Sequence, residues 1–204
     1  MRRLLWAGIG TVLALVVVTG SWALLSAAGG SRPSVLEAPG DHGIVPDFEL
    51  TDRSGRTVRT ADLKGQFWIA DFIFTRCTGV CPILTARMAS LGASLDGVRL
   101  VSFSVDPVWD TPEVLSRYAA GVPGGADARR WLFLTGPRED LYRLISEGFK
   151  LNVAERPVDA AAGDLITHSD RLVLVDPEGR IRGYYHGSDD DSARRLARDL
   201  ERLR

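Results

Sequence analysis

The chain has 204 residues, of which 25 are basic and 26 acidic, so its formal net charge is −1. Its length suits one folded domain once an apolar N-terminal stretch is set aside. Because the charge is balanced and no segment forms a basic tail or stripe, we do not expect a nucleic acid partner.

The first predicted element is an uncharged, apolar segment at residues 4–26, long enough to span a bilayer core of about 30 Å. Arg2 and Arg3 precede it, and the positive-inside tendency keeps residues 1–3 in the cytoplasm. We therefore predict a single-pass anchor in a bacterial-type inner membrane, with the remaining chain facing the periplasm or the cell exterior. A cleaved signal peptide is the alternative, because residues 26–28 are small, although the apolar region of a signal is usually about 7–15 residues long.

Residues 27–43 are predicted to form a flexible tether, because they are rich in Gly, Ser, Pro and Ala and show no hydrophobic period. At about 3.3–3.6 Å per extended residue, such a tether would hold the domain tens of ångströms from the bilayer. His42, near its end, is interpreted as a solvated linker histidine. The folded domain is predicted to span residues 44–204.

The domain is predicted to open with a β-hairpin. The alternating stretch Val45–Leu50 is its first strand, Asp52–Gly55 its turn and Arg56–Arg59 its second strand. Residues 66–74 are nearly all apolar, which is typical of a central strand covered on both faces. A helix is predicted next, because apolar residues recur at helical spacing at Leu84, Met88, Leu91 and Leu95.

Strands and helices alternate in the rest of the sequence. Val98–Val105 is predicted to be a strand, and a helix follows with Asp110 as N-cap, Pro112 in its first turn and Glu113 completing a capping box. The later predicted elements are the strand Trp131–Leu134, the helix Arg138–Glu147, a hairpin of Arg171–Val175 and Arg180–Tyr185, and the helix Asp190–Arg204. This order predicts an α/β fold with helices on the faces of one sheet.

Cys77 and Cys81 are the candidate reactive residues, because they are the only cysteines of a chain predicted to face an oxidising compartment. If the helix already runs at Cys77, the two residues share one face with Cβ atoms about 5–6 Å apart, near enough to share a metal ion. A disulfide is equally compatible, since bridged Cα atoms are about 4.4–6.8 Å apart. The helix N-terminus and Arg76 are expected to lower the thiol pKa. Spacing alone leaves a metal site, a redox pair and a structural disulfide open.

His168 is the candidate third ligand, because it lies in a polar loop just before a predicted strand. Two thiolates and an imidazole suit Cu(I), and an added oxygen or nitrogen donor would suit Cu(II), whereas zinc normally takes a fourth ligand. From spacing alone, a loop histidine that caps a strand is the alternative. His186 is interpreted as a surface residue at the end of its strand.

Longer motifs surround these candidates along the chain. They are Phe72–Pro82 (FIFTRCTGVCP), Phe103–Pro107 with Asp110–Pro112, Trp131–Gly136, and His168–Ser169 leading into Leu172–Asp176 and Gly179–Tyr185. Together they resemble the Sco/SenC family, copper proteins involved in cytochrome c oxidase assembly, over roughly residues 45–204. The resemblance implies a thioredoxin-like fold, with a central mixed sheet and helices on both faces, on one membrane anchor.

The resemblance also implies a copper site. Cys77, Cys81 and His168 match the three copper ligands of the family, which hold Cu(I), Cu(II) or both. Asp106 matches an acidic position near that site and is not taken as a ligand. The family often has Pro-Asp or Pro-Gly after the first cysteine, where this chain has Thr78-Gly79, a difference that bears on the tuning of the site.

Two activities follow from the resemblance, both directed at the binuclear copper site of the oxidase. A metallochaperone would carry copper on Cys77, Cys81 and His168 and release it by ligand exchange. A thiol-disulfide oxidoreductase would use Cys77 and Cys81 as a catalytic pair that cycles between dithiol and disulfide. The expected partners are cytochrome c oxidase subunit II or a similar client, together with other copper chaperones or thiol reductants.

Two other thiol-dependent families fit the sequence less well. The peroxiredoxin signature Pro-x-x-x-Thr-x-x-Cys would require Pro and Thr where this chain has Ala70 and Phe74. The thioredoxin signature Trp-Cys-Gly-Pro-Cys is missing, because Arg76 precedes Cys77 and three residues separate the cysteines.

Overall fold

The computed structural model describes residues 39–151 and 169–204. Four predictions therefore lie wholly or partly outside the described residues: the cytoplasmic N-terminus at residues 1–3, the membrane anchor at residues 4–26, the tether at residues 27–38 and the position of His168. Among the residues that are described, no helix is both long enough and apolar enough to cross a membrane.

The described strands form one mixed sheet. They are β1 Glu49–Asp52, β2 Thr57–Arg59, β3 Trp68–Ile73, β4 Arg99–Ser104, β5 Trp131–Thr135, β6 Arg171–Val175 and β7 Ile181–His186. Their order across the sheet is β2-β1-β5-β4-β3-β6-β7. β3, β4 and β5 are parallel, and the outer strands pair antiparallel to their neighbours. The predicted α/β class is confirmed.

The described helices occupy the predicted places. They are α1 Val80–Ser94, α2 Pro112–Ala120, α3 Arg138–Arg143 and α4 Asp190–Leu203. A 3-10 turn at Thr60–Leu63 follows β2. α3 continues into a wider π-helical turn at Leu144–Gly148, one residue beyond the single helix predicted at Arg138–Glu147.

The central strand β3 separates two helical layers. All six of its residues are buried, and successive side chains point to opposite faces of the sheet. On one face, Phe72 packs edge-on against Phe149, which follows the π-helical turn, with ring centroids 5.0 Å apart. On the other face, where Asp71 points, α1 packs on β3 and β4, and α2 packs on β5. Helices therefore cover both faces, as the fold class requires.

The segments around the two cysteines lie at one edge of the sheet, where β3 and β4 end and β6 begins. The parallel register pairs Trp68 with Arg99 and Ile73 with Ser104, so β3 and β4 end together. β6 runs antiparallel to β3 and therefore begins at this same edge. The turn after β3, the loop after β4 and the start of β6 are neighbours for this reason.

The N-terminal boundary differs from the prediction. Residues 40–43, predicted as part of the tether, pair with β7: the Gly40 amide donates to the Arg182 carbonyl at 2.8 Å and the His42 amide to the Ile181 carbonyl at 3.0 Å. His42 is half-buried, with its ring edge-on to Tyr184 at 5.3 Å between centroids, rather than solvated. β7 is an edge strand, and its unpaired backbone N–H and C=O groups form hydrogen bonds with this segment. Such backbone pairing does not require a particular pattern of side chains.

Candidate metal and thiol site

Cys77 lies in the turn after β3, whereas Cys81 lies in the first turn of α1. The helix begins at Val80 with Gly79 as its N-cap, so the condition that it already runs at Cys77 is not met and the two cysteines do not share a helix face. The Cys77 amide instead donates to the Phe74 carbonyl at 3.1 Å. The Cys81 amide donates to Cys77 Sγ at 3.5 Å, which places that sulfur at the helix N-terminus. Both cysteines are free thiols.

The two thiols differ in exposure. Cys77 is half-buried, whereas Cys81 is only 2 % exposed. Burial raises the pKa of the Cys81 thiol well above its usual range, and the nearby Cys77 and Asp71 add to the effect. The predicted lowering of the thiol pKa is therefore wrong for Cys81, because loss of hydration outweighs the helix terminus. Cys77 is the thiol that an outside reactant meets first.

Arg76 lies beside Cys77, but its charge is directed at another residue. Its guanidinium pairs with Asp106 at 2.6 Å and lies over the Trp109 ring, 4.5 Å from the centroid. Asp106 is thus engaged in an ion pair. Trp109 is half-exposed and was missed by the sequence analysis, because a lone aromatic residue in a loop gives no local signal.

Asp110 fastens the turn that carries Cys77 to the loop after β4. Its fully buried carboxylate accepts hydrogen bonds from Thr75 Oγ1 at 2.6 Å and from Ser104 Oγ at 2.7 Å. Burial raises its pKa, although these bonds oppose that change. The predicted role of Asp110 as N-cap of α2 is wrong: Thr111 is the N-cap, and its Oγ1 accepts from the Val114 amide at 3.4 Å.

Asp71 is a second buried carboxylate at the site that the sequence analysis missed. It lies in β3 beside its register partner Ser102, whose Oγ accepts a hydrogen bond from Trp131 Nε1 at 2.9 Å. Among the described residues, neither Asp71 oxygen has a hydrogen bond of ordinary geometry. Burial raises the pKa of Asp71 to about 7, and the nearby Ser102 hydroxyl offsets this only in part. The sequence feature that could have identified Asp71 was an acidic residue inside an otherwise apolar strand.

The start of β6 lies at the same sheet edge as this site. Its first described neighbours are Ser169 and Asp170, while His168 lies outside the described residues. The Asp170 carboxylate lies 3.0 Å from His186 Nδ1 and accepts a hydrogen bond from Ser188 Oγ at 2.6 Å. Although burial opposes them, these bonds lower the pKa of Asp170. His186 is thus partly exposed and held by Asp170, close to its interpretation as a surface residue.

No three His, Cys, Asp or Glu side chains converge as metal ligands within residues 39–151 and 169–204. Cys77 and Cys81 lie together, with the Cys81 amide 3.5 Å from Cys77 Sγ, and their role as metal ligands stays a prediction. The third predicted ligand, His168, stays a prediction.

A family model and a curated relative agree with this architecture. The SCO1/SenC family model matches residues 37–204. The chain belongs to the SCO1/SenC family. An SCO1 protein homolog of Bacillus subtilis is 34 % identical to this SCO1/SenC protein over 168 residues, which cover 80 % of this chain and 82 % of the relative.

Solved structures of Sco proteins confirm the thioredoxin-like α/β fold. BsSco is a member of the Sco family of cytochrome c oxidase assembly proteins, and a disulfide switch has been identified in BsSco itself. It is 32 % identical to this chain, with a TM-score of 0.65. The match covers 81 % of this chain and 95 % of the BsSco chain. ScoI of Bradyrhizobium japonicum, solved with copper bound, is 25 % identical with a TM-score of 0.61, covering 78 % and 99 %.

Proposed function

We propose that this SCO1/SenC protein binds copper through Cys77, Cys81 and His168 and delivers it to the binuclear copper site of a cytochrome c oxidase. The observation that carries the proposal is the pair of free thiols at the N-terminus of α1, joined by the bond from the Cys81 amide to Cys77 Sγ. In this role copper is cargo. The client is subunit II of the oxidase or a protein with a similar copper site.

The donor set fits copper. Two sulfur ligands and an imidazole match the soft character of Cu(I), and an added oxygen or nitrogen donor would suit Cu(II). The half-buried Cys77 is accessible for ligand exchange with a client, while the buried Cys81 is shielded from water. His168 immediately precedes Ser169, which leads into β6 at the sheet edge where the cysteines lie. ScoI with copper bound is a relative that supports this assignment.

A thiol-disulfide oxidoreductase is the second candidate function. The contact between the Cys81 amide and Cys77 Sγ holds the cysteines close, and the disulfide switch of BsSco is a precedent in a relative. In this function Cys77 and Cys81 would exchange a disulfide with the cysteines of the oxidase copper site, and other thiol reductants would restore the dithiol.

The proposed location is the outer face of a bacterial inner membrane. It rests on the uncharged segment at residues 4–26 and on Arg2 and Arg3 before it. A copper client on that face would be within reach of the tethered domain.

Copper titration of the full chain tests the chaperone function. We expect one copper per chain when the thiols are reduced, no tight binding when they are oxidised, and loss of binding in Cys77→Ser. His168→Ala should weaken copper binding at least about tenfold, the lower end of what losing a group that supports a metal site costs, and should still form the disulfide.

His186→Ala is the matched control, because His186 lies at the same sheet edge but is engaged by Asp170. Its copper affinity should equal that of wild type. Unchanged affinity in His168→Ala would remove His168 from the site. Absence of binding in both redox states would reject the chaperone function and leave the oxidoreductase.

A further inference from the structure

Large apolar side chains that are exposed to solvent are concentrated around the two cysteines. Within residues 39–151 and 169–204 there are four such side chains, and three of them lie at the sheet edge of the candidate site. Val108 and Trp109 are in the loop after β4, and Ile83 is in the first turn of α1. Apolar side chains that are exposed singly need no explanation, whereas a group of them marks an interaction surface.

Trp109 is held in place although 50 % of its surface is exposed. The Arg76 guanidinium lies over its ring at 4.5 Å, and Asp106 fixes that guanidinium at 2.6 Å. The backbone is fixed as well, because the amides of Trp109 and Asp110 both donate to the Asp106 carbonyl, at 3.0 and 2.9 Å. An aromatic side chain that is already ordered loses little conformational entropy on binding, and tryptophan is enriched among the residues that dominate interface energies.

The surface around Cys77 is apolar rather than charged. Val108 is 80 % exposed, and the exposed residues of the cysteine turn, Thr78 and Gly79, carry no charge. The charges of Arg76 and Asp106 are paired with each other. A charged segment that covered this surface would lose its hydration without gaining a countercharge from that pair. The surface therefore suits a segment with apolar side chains.

The position beside Cys77 determines which partner covers this surface. A cysteine that exchanges a disulfide with Cys77 brings its own Cα to about 4.4–6.8 Å from the Cys77 Cα, and its chain neighbours lie about 3.8 Å farther along. Copper transfer also requires the two sulfur atoms to approach one shared ion. Arg76 is bonded to Cys77 and contacts the Trp109 ring, so the residues that flank the incoming cysteine come within reach of that ring.

We propose that Val108 and Trp109, with Ile83 on α1, form the surface on which the client docks, and that the client contacts it through apolar side chains flanking its reacting cysteine. The proposal deepens the proposed function and rests on it in requiring a client that reacts at Cys77. The docking surface takes no part in the bonds that form or break. It favours the encounter of Cys77 with a cysteine in an apolar segment over one in a polar segment.

Peptide disulfides test this preference without copper. The full-length chain with Cys81→Ser, in which Cys77 is the single cysteine, is mixed with two symmetrical disulfides of uncharged pentapeptides. Leucine flanks the central cysteine in one peptide, and serine flanks it in the other. The Cys77 thiolate attacks one peptide sulfur and forms a mixed disulfide, while the other peptide leaves as a thiolate with the electron pair. The ratio of the two rate constants is measured, because the intrinsic reactivity of Cys77 cancels in it.

We expect the leucine peptide to react at least about tenfold faster than the serine peptide, since one dominant interface side chain contributes that much or more. Trp109→Ser should bring the ratio close to one, and Val108→Ser should lower it by a smaller factor. Trp109→Phe, which keeps an aromatic ring, should retain most of the preference.

Ile44→Ser is the matched control, because Ile44 is 58 % exposed, much like Trp109. Ile44 bridges to Arg180, just before β7. β7 starts beside the end of β6, whereas the cysteines lie at the edge where β6 begins. Ile44 is therefore at the opposite edge of the sheet, and its variant should keep the full preference for the leucine peptide.

An unchanged ratio in Trp109→Ser would overturn the docking surface, and so would a ratio near one in the Cys81→Ser chain itself. In both cases Cys77 still reacts, so the proposed function would stand. Reaction with neither peptide would contradict the accessibility of Cys77, and with it both the proposed function and the docking surface. A dimer of the reduced chain that Trp109→Ser dissociates in sedimentation velocity would assign the surface to a second copy of this chain and overturn the proposal.

Discussion

At the scale of single residues, the site combines a thiol and a carboxylate that are both buried and both hard to ionise. Cys81 is held on α1 and Asp71 on β3, and water is excluded from each. Burial raises the pKa of both groups, so each is stabilised in its protonated, uncharged form. For Asp71 this has a consequence for stability.

Asp71→Asn is expected to stabilise the protein increasingly as the pH rises. In the unfolded chain the aspartate pKa is about 3.9, whereas burial raises the pKa of Asp71 to about 7 in the folded protein. Wild type therefore loses stability between about pH 4 and pH 7, because the unfolded state gives up its proton first. The loss approaches about 4 kcal/mol as an upper limit, and asparagine, which does not titrate, avoids it.

Urea unfolding at pH 4 and pH 8 measures this effect as the difference between Asp71→Asn and wild type in the free energy of unfolding. The difference should grow in favour of the variant from the lower to the higher pH. Asp199→Asn, which loses a hydrogen-bonded carboxylate, should show no such gain. A pH-independent difference for Asp71→Asn would mean that Asp71 is ionised throughout this range.

At the scale of elements, the site depends on how two loops at one sheet edge are fastened together. The turn after β3 carries Thr75, and the loop after β4 carries Asp110, 35 residues later in the chain. Their hydrogen bond, from Thr75 Oγ1 to the Asp110 carboxyl at 2.6 Å, is partly buried and joins the two loops directly. It holds the start of α1, and with it Cys77, against the end of β4.

Thr75→Val should lower the free energy of unfolding by about 1–3 kcal/mol, because it removes a donor from a buried carboxylate while nearly preserving the side-chain volume. Thr57→Val is the control, since Thr57 is exposed on β2 and valine suits a strand. Chemical denaturation of both variants measures the difference. Equal stability of the two would show that Ser104 and the Thr75 amide satisfy Asp110 without the Thr75 hydroxyl.

The elements themselves could largely be predicted from the sequence, but their contacts could not. The apolar run of β3 and the amphipathic pattern of α4 reflect burial of each segment, which a local pattern records. The start of α1 depends on the nonhelical backbone at Gly79. The choice of N-cap for α2 depends on the Asp110 side chain, which bonds Thr75 instead of the helix. Such choices are decided by tertiary contacts.

The candidate site was also predictable in its residue types but not in its tertiary contacts. The cysteine pair could be predicted because its chemistry is carried by residue type and short spacing. The ion pair of Arg76 with Asp106 joins residues 30 positions apart and exists because β3 and β4 end in register. Asp71 was missed because the strand was read for hydrophobicity, and one acidic residue does not interrupt an otherwise apolar pattern.

At the scale of the whole molecule, the N-terminal boundary of the domain lies earlier than the sequence indicated. The segment of residues 40–45 covers the outer edge of β7 through backbone bonds, including the Ile181 amide to the Gly43 carbonyl at 2.8 Å and the Val45 amide to the Gly179 carbonyl at 2.9 Å. Side chains reinforce it, since Arg180 pairs with Asp41 at 2.9 Å. If residues 4–26 are the anchor, at most about 13 residues connect it to the domain, a reach of about 45 Å.

This covering segment should contribute measurably to stability. A truncation that begins at Val45 removes the backbone hydrogen bonds made by Gly40, His42 and Gly43 and uncovers β7, whereas one that begins at residue 39 keeps them. Three backbone bonds at about 0.5–1.5 kcal/mol each predict a difference of about 1.5–4.5 kcal/mol in the free energy of unfolding. The shorter protein should also aggregate more readily, because an uncovered edge strand can pair with another chain. Equal denaturation midpoints and equal solubility of the two truncations would mean that residues 39–44 are a tether after all.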